Sequence, residues 1–394
     1  MDDLWIAMLA GILILLAGMA SVELGLSVAV IEIAFGVVAG NFLGLHTTPW
    51  LDFLASFAGI VLTFLAGAEV DVTVMREKLK ESLLIGGISF AAPFFGAWVF
   101  CQYVLGWPLR TAQLTGVALS TTSLAVVYAV LVETGLTAHP TGKLMMAATF
   151  VTDFGTAVAL SLLFIRPNWW LAAFVAVSAV VILIMPRLHR WFFTRYGGRV
   201  IEPEIKGAFA AILVLMYFAE LAQSHAVLPA FILGLAVSHI FEQHREEQRR
   251  FRVVAFAFLT PFFFLKGGLN VSLGLVWANL GLLLVLFGVK QVTKLIGVYP
   301  PSIRYLPPRE AMFTTLLMST GLTFGTISSL YGLRSGIFTQ AQFSVIVTVV
   351  VLSAIVPTFI AQRWFEPRRE PGGSQAVRVR RGLVSDSQNE GQGG

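Results

Sequence analysis

The chain has 394 residues, of which 57% are hydrophobic and only 12% charged, with a formal net charge of +5. A soluble domain carries about 25% charged residues, so this composition excludes an ordinary water-soluble fold and assigns nearly the whole chain to lipid. The single cysteine, Cys101, excludes an intramolecular disulfide, and within an apolar stretch it reads as a small core residue.

A helix that spans a bilayer needs about 20 mostly apolar residues. Thirteen such runs are predicted: 4–20, 28–45, 51–70, 82–105, 111–133, 142–165, 168–185, 205–223, 226–241, 252–270, 278–299, 309–330 and 337–361. Before the first stand only Met1-Asp2-Asp3, without a basic region or a small-residue cleavage site, so that run is expected to be a retained helix. Orientation follows from the lysines and arginines of the connections. One side collects Arg76, Lys78, Lys80, Lys143, Arg187, Arg190, Arg195, Arg199, Lys206, Arg245, Arg249, Arg250, Arg252, Arg304, Arg309 and six tail arginines, and the other Arg110, Arg166 and Arg334. Twenty-one against three predicts an outside N-terminus and a cytoplasmic C-terminus in the cell (inner) membrane. The net charge arises from that asymmetry, so the basic runs read as solvated loops and not as a nucleic-acid surface.

Asp153 lies near the middle of the run from Met145 to Ile165 and is the only acidic residue between Glu133 and Glu202. A carboxylate at that depth costs several kcal/mol or more unless it is paired or wet, which makes it a candidate for an ion or proton pathway. Three lysines fall within or beside apolar runs: Lys266, Lys290 and Lys294. Lys290 reads as snorkelling. Lys266 stands about 14 residues into its helix from Arg252, too deep to escape inward easily, with the outer interface as its alternative outlet. Lys294 snorkels if Pro300-Pro301 end its helix and is buried if the helix continues. A buried lysine pairs with an acid or lines a wet cavity.

Two segments break the apolar pattern without adding charge: Gly116 to Ser123, which includes Ser120, Thr121, Thr122 and Ser123, and Ser319 to Thr326, which includes Thr320, Gly321 and Thr323. Hydroxyls and glycines at mid-membrane let backbone unwind, although each segment alone fits close helix packing equally well. About 200 residues apart, on helices expected to run in opposite directions, the pair fits the interrupted helices of an inverted repeat around a midplane site. The half-helix ends carry opposed partial charges that an aspartate and a lysine can neutralise.

Six segments in this order carry a resemblance: Phe35 to Gly40, Phe64 to Asp71, Ala118 to Ser123, Phe150-Val151-Thr152-Asp153, Pro229 to Leu235 and Pro261 to Phe264. Over about residues 5–362 the chain resembles the monovalent cation/proton antiporter-2 family of sodium/proton and potassium/proton exchangers. The resemblance implies an all-α polytopic membrane protein of about thirteen transmembrane helices, an inverted repeat with two crossed broken helices, and a homodimer. It also implies a panel of helices at about 4–70 and 205–270, a core at about 82–165 and 278–361 that moves like an elevator, and a linker helix at 168–185.

Residue by residue, Asp153 matches the aspartate that binds cation and proton alternately, and Lys294 the mid-membrane lysine. Thr121, Thr122 and Ser123 match the unwound crossing, where with Thr152 and backbone carbonyls they offer hard oxygen ligands to Na⁺, K⁺ or Li⁺. Electrogenic members have two adjacent carboxylates. Here Thr152 replaces the first, so electroneutral exchange of one monovalent cation for one proton is expected. Lys266 departs from the family pattern and has no implied role. No cofactor is expected beyond the transported Na⁺ or K⁺ and H⁺, and no partner beyond the lipid bilayer and a second copy of the chain. A sodium-coupled symporter and a cation channel are the alternatives, and no enzymatic activity is expected.

Glu23, Glu32, Glu69, Asp71 and Glu220 are expected at helix ends or along a domain interface, and His225 and His239 at the membrane interface. The polar tail at 366–394 is expected to be a disordered cytoplasmic extension without a nucleotide-binding regulatory domain.

Overall fold

Prolines and small polar residues punctuate the apolar runs where the helices begin. Pro49, Pro140, Pro203 and Pro308 each open a helix, where a missing N–H costs nothing because that group has no intrahelical partner. Thr339 and Gln342 form a reciprocal capping box at the last long helix. The computed structural model describes residues 3–24, 27–70, 78–136, 139–164, 168–196, 202–224 and 226–367. Asp71, Arg76, Arg166, Arg199, His225 and the tail beyond 367 lie outside the described residues.

All regular structure among the described residues is helical. The helices are α1 (Asp3–Leu24), α2 (Val28–Phe42), α3 (Pro49–Ala68), α4 (Leu79–Val99), α5 (Leu109–Ser120), α6 (Leu124–Glu133), α7 (Pro140–Leu163), α8 (Trp169–Tyr196), α9 (Pro203–Leu221) and α10 (Val227–Gln243). They continue with α11 (Arg245–Val254), α12 (Thr260–Leu269), α13 (Leu273–Ala278), α14 (Leu280–Ser302), α15 (Pro308–Met318), α16 (Thr323–Arg334) and α17 (Gln340–Ile360). A π-helical turn, Ala255–Leu259, joins α11 to α12.

Among the described residues, eight spans are long and apolar enough to cross a membrane unaided. The other predicted runs fall on α2 and α10, which are shorter, on α9, which carries Glu204, Lys206 and Glu220, and on the pairs α5/α6 and α15/α16, which are interrupted. Two boundaries differ from expectation. The run at 168–185 continues to Tyr196, because Arg187 bonds the Leu183 carbonyl at 3.1 Å and Trp191 packs edge-on against Tyr196. The basic stretch before 252 is also helical.

α3 packs chiefly on α10 and α12, and α12 on α2; α4 packs on α5, α7 and α14, and α16 on α5 and α17. Glycines let these neighbours approach to backbone contact. A methyl group built on Gly268 of α12 would lie 2.8 Å from the Gly36 Cα of α2, closer than real carbon contacts come. Side chains here would separate two backbones, and that is overpacking with a typical cost of about 1–3 kcal/mol. Gly268→Val should therefore lower the thermal unfolding midpoint in detergent by several degrees. Gly288→Ala in α14, with no atom within 4 Å of the added methyl, should leave the midpoint unchanged or raise it.

Candidate functional site

The two interrupted helices meet at their interruptions. α5 ends at Ser120 and α6 resumes at Leu124; α15 ends at Met318 and α16 resumes at Thr323. Thr122 donates its hydroxyl to the Met318 carbonyl at 2.8 Å, and the Ser123 amide donates to Thr320 Oγ1 at 3.4 Å. The pairs run in opposite directions: Thr111 at the start of α5 donates to the Ile337 carbonyl beyond α16 at 3.1 Å, and Thr141 at the start of α7, just past α6, bonds Glu310 at the start of α15. The crossed, broken helices expected from the hydroxyl-rich segments are therefore present.

Local hydroxyl bonds satisfy the carbonyls that the breaks release. Ser120 donates to Val117, Thr121 to Ala118 and Thr320 to Leu317. Ser123 accepts from the Val126 amide at the start of α6. Gly321 is required by space, because a methyl there would lie 2.7 Å from the Thr121 carbonyl and 2.5 Å from Lys290 Nζ.

Asp153 sits in α7, 2% exposed, and its Oδ1 has no hydrogen-bond partner. Lys294 is fully buried and close enough to interact electrostatically with Asp153. Its ammonium does not bond the carboxylate: it donates to Ser89 Oγ at 2.9 Å and Thr122 Oγ1 at 3.1 Å. α14 passes through Pro300 and Pro301 and stops at Ser302, so Lys294 lies well inside the helix. Thr152 turns its hydroxyl to the carbonyls of Gly86 and Ala148.

Asp153 also lines a cavity of about 580 Å³, shared with Thr323, Leu62, Glu69, Tyr128 and Arg252. Glu69 and Arg252 pair at 3.1 Å, and the guanidinium lies 5.7 Å from the Tyr128 ring centroid. Glu69, at the end of α3, and the exposed Tyr128, midway along α6, thus mark the mouth of this cavity.

Three lysines were singled out in the sequence, and they divide differently from expectation. Lys290 does not snorkel: it is fully buried beside Gly321, and its Nζ lacks a hydrogen-bond partner. The i, i+4 spacing from Lys294 was the available signal, since it sets both lysines on one face of α14. Lys266 is not brought to Asp153 but pairs with Asp52 of α3 in a separate cavity. Glu69 and Glu220 lie at helix ends as expected, whereas Glu32 is buried within α2 and its Oε2 has no hydrogen-bond partner. His239 is exposed and bonded to Gln243.

The model of the family described as "Sodium/hydrogen exchanger, transmembrane" matches residues 10–366. The protein of Methanocaldococcus jannaschii named "Probable Na(+)/H(+) antiporter 3" is 26% identical over 86% of this chain and 89% of its own length. The Na(+)/H(+)-K(+) antiporter GerN of Bacillus cereus is 25% identical over 86% of this chain and 90% of its own. In structure, the sodium proton antiporter MjNhaP1 of Methanocaldococcus jannaschii superposes with a TM-score of 0.70 at 14% identity, covering 93% of this chain and all of that one. Eight membrane-length helices, a crossing of broken helices beside a buried aspartate, and a family match over nearly the whole length lead to one conclusion: this chain is a multi-pass membrane protein that belongs to the transmembrane sodium/hydrogen exchanger family.

Proposed function

We propose that the protein exchanges a monovalent cation, Na⁺ or K⁺, for protons, with the two competing for Asp153. The observation that carries this reading is a buried carboxylate oxygen with no hydrogen-bond partner beside a helix crossing built from hydroxyls. A charged carboxylate in that setting is costly unless a cation or a proton occupies it. Because Asp153 holds one or the other, and an empty charged site is the costly state to carry across the bilayer, each crossing is coupled to occupancy. Thr121 and Thr122 donate their protons to carbonyls, which leaves oxygen lone pairs for a hard cation. Thr122 gives one of these to Lys294.

In this reading α4–α7 and α14–α17 form the core, which moves like an elevator against a panel of α1–α3 and α9–α12, with α8 as the linker and two copies joined in a dimer. The thirteen predicted runs each cross the membrane, and the Arg252 mouth is cytoplasmic by the weight of lysine and arginine on that side. With Thr152 beside Asp153 the site has one carboxylate, and one proton against one monovalent cation moves no net charge.

Asp153→Asn should reduce cation-dependent proton movement in proteoliposomes to the level of empty liposomes, while the purified protein stays monodisperse. Undiminished exchange with an internal pH dye would remove Asp153 from the mechanism.

Lys294→Ala deletes a charge that interacts with Asp153 and should move the pH of half-maximal exchange by about one unit or more, a differential interaction of about 1.4 kcal/mol. Lys266→Ala, which acts elsewhere, should leave that pH in place even if turnover changes. The reverse ordering would make Lys266 the lysine coupled to Asp153.

An imposed potassium/valinomycin potential should leave sodium-driven exchange unchanged in rate and end-point. Moving one net charge across 100 mV is worth about 2.3 kcal/mol, so an electrogenic exchanger would respond strongly, and such a response would mean that a buried lysine also releases its proton during the cycle.

A further inference from the structure

Lys266 gains its meaning from Asp52. Its ammonium pairs with the Asp52 carboxylate, with the lysine side chain 4% and the aspartate 42% exposed. Arg334, at the end of α16, brings a second cation to the same Oδ1 at 3.6 Å. Arg334 also donates to the Asp52 carbonyl at 3.0 Å and to the Ser56 hydroxyl. Lys266 and Asp52 belong to α12 and α3, which pack on each other; Arg334 reaches them from α16. Isolated surface ion pairs contribute little, but a shared carboxylate with one nearly buried partner and two further oxygen contacts forms a network.

The position of this network on the α3–α16 seam matters. Two cavities approach each other between α3 and α12 on one wall and α7 and α16 on the other. The first holds Asp153, with Leu62 on α3 and Phe324 on α16. The second, about 620 Å³, holds Asp52, Lys266 and Arg334, with Leu160 on α7. The two cavities share no lining residue; Gly59, Phe263 and Ile327 wall the second on its apolar side, the Phe263 ring 3.2 Å, and Ile327 3.9 Å, from the point a methyl on Gly59 would occupy. Asp153 therefore shares its cavity with the Glu69–Arg252 pair, while the ion network lines the other cavity, at the opposite end of α3. α16 transmits the tie directly, for its first residue, Thr323, lines the Asp153 cavity and its last, Arg334, is the tethered arginine.

We propose that Asp52, Lys266 and Arg334 form a latch that holds the seam shut on the face opposite Glu69 and Arg252, and that exposing Asp153 to that face requires Arg334 to leave α3. Lys266 is the positioning residue: it holds the Asp52 carboxylate where Arg334 meets it. The need to open rests on the exchange reading; the closure does not. Packed interfaces switch between discrete arrangements, so loss of the latch shifts the population of the opened seam without a new contact.

The test is accessibility. Cys101→Ser removes the only native cysteine, and Leu62→Cys places a thiol in the Asp153 cavity, about one turn past Gly59. A membrane-impermeant maleimide is applied from the Asp52 face of oriented vesicles carrying the full chain. Arg334→Gln should raise the labelling rate at least fivefold and Asp52→Asn similarly, while Arg334→Lys, which keeps the charge, should raise it less. The double variant Asp52→Asn with Arg334→Gln should label more slowly than the product of the two single effects, since both variants break the ion pair that the two side chains share. Unchanged labelling in folded Arg334→Gln and Asp52→Asn proteins, or additive effects in the double variant, would overturn the latch. Should Arg334→Gln not fold, Asp52→Asn and Arg334→Lys carry the same decision. Labelling needs no transport, so faster labelling in a chain that exchanges no cations would keep the latch and discard the exchange reading.

Discussion

One hydroxyl joins the separate parts of the site. Thr122 donates to the Met318 carbonyl of the other broken helix and accepts from Lys294, so it ties three elements, α5/α6, α15 and α14, at the depth of Asp153. Backbone that leaves the helix inside a membrane is tolerated only where protein or water satisfies its polar groups. Here the surrounding hydroxyls do so at each break, and Lys294 adds a positive charge within reach of Asp153. Remove that satisfaction and the crossing becomes two exposed backbone gaps in a low-dielectric medium, with a carboxylate beside them.

How much of this was legible in the sequence follows from which contacts are local. The apolar runs and the two hydroxyl-rich interruptions have their signal in consecutive residues, and the helices and the crossing fall on them. Asp153 was legible for the same reason, as an isolated charge in an apolar helix. Lys290 was misread because the snorkelling argument uses only distance to the helix end; room for its buried amine is left by Gly321, some thirty residues on. Asp52 was passed over entirely. Near the start of α3 it looks like an ordinary first-turn acid, and nothing along the chain announces that Lys266 and Arg334 converge on it from two distant helices. Ser89 is another such case, since no pattern in α4 distinguishes a serine that holds Lys294 from one that merely packs.

The two ends of the seam use the same pairing, an arginine on a carboxylate, with different surroundings. At one, Arg252 pairs with Glu69 and lies over Tyr128, an arrangement that leaves Asp153 in the same cavity. At the other, Arg334 grips Asp52 and Ser56 in a cavity that Phe263 and Ile327 also line. A guanidinium suits both positions because its planar fork engages oxygens in several directions and stacks on rings, where an ammonium offers only a point charge.

The glycine contacts have an evolutionary consequence. Between α2 and α12, and between α3 and α10, glycines bring backbone against backbone: a methyl on Gly67 would lie 2.9 Å from the Leu235 amide, and one on Gly234 2.8 Å from that of Ala68. Across the seam the corresponding meetings are of side chains, such as Gly267 with the Thr326 methyl at 3.1 Å, and a side chain can change size or rotamer where a backbone cannot move. Substitution is thus costly along the glycine joints and cheaper among the apolar side chains of the seam. Lineages of this fold have room to retune how fast the seam opens, through residues such as Ile60, Ile327 and Leu330, while the bodies on either side of it stay fixed.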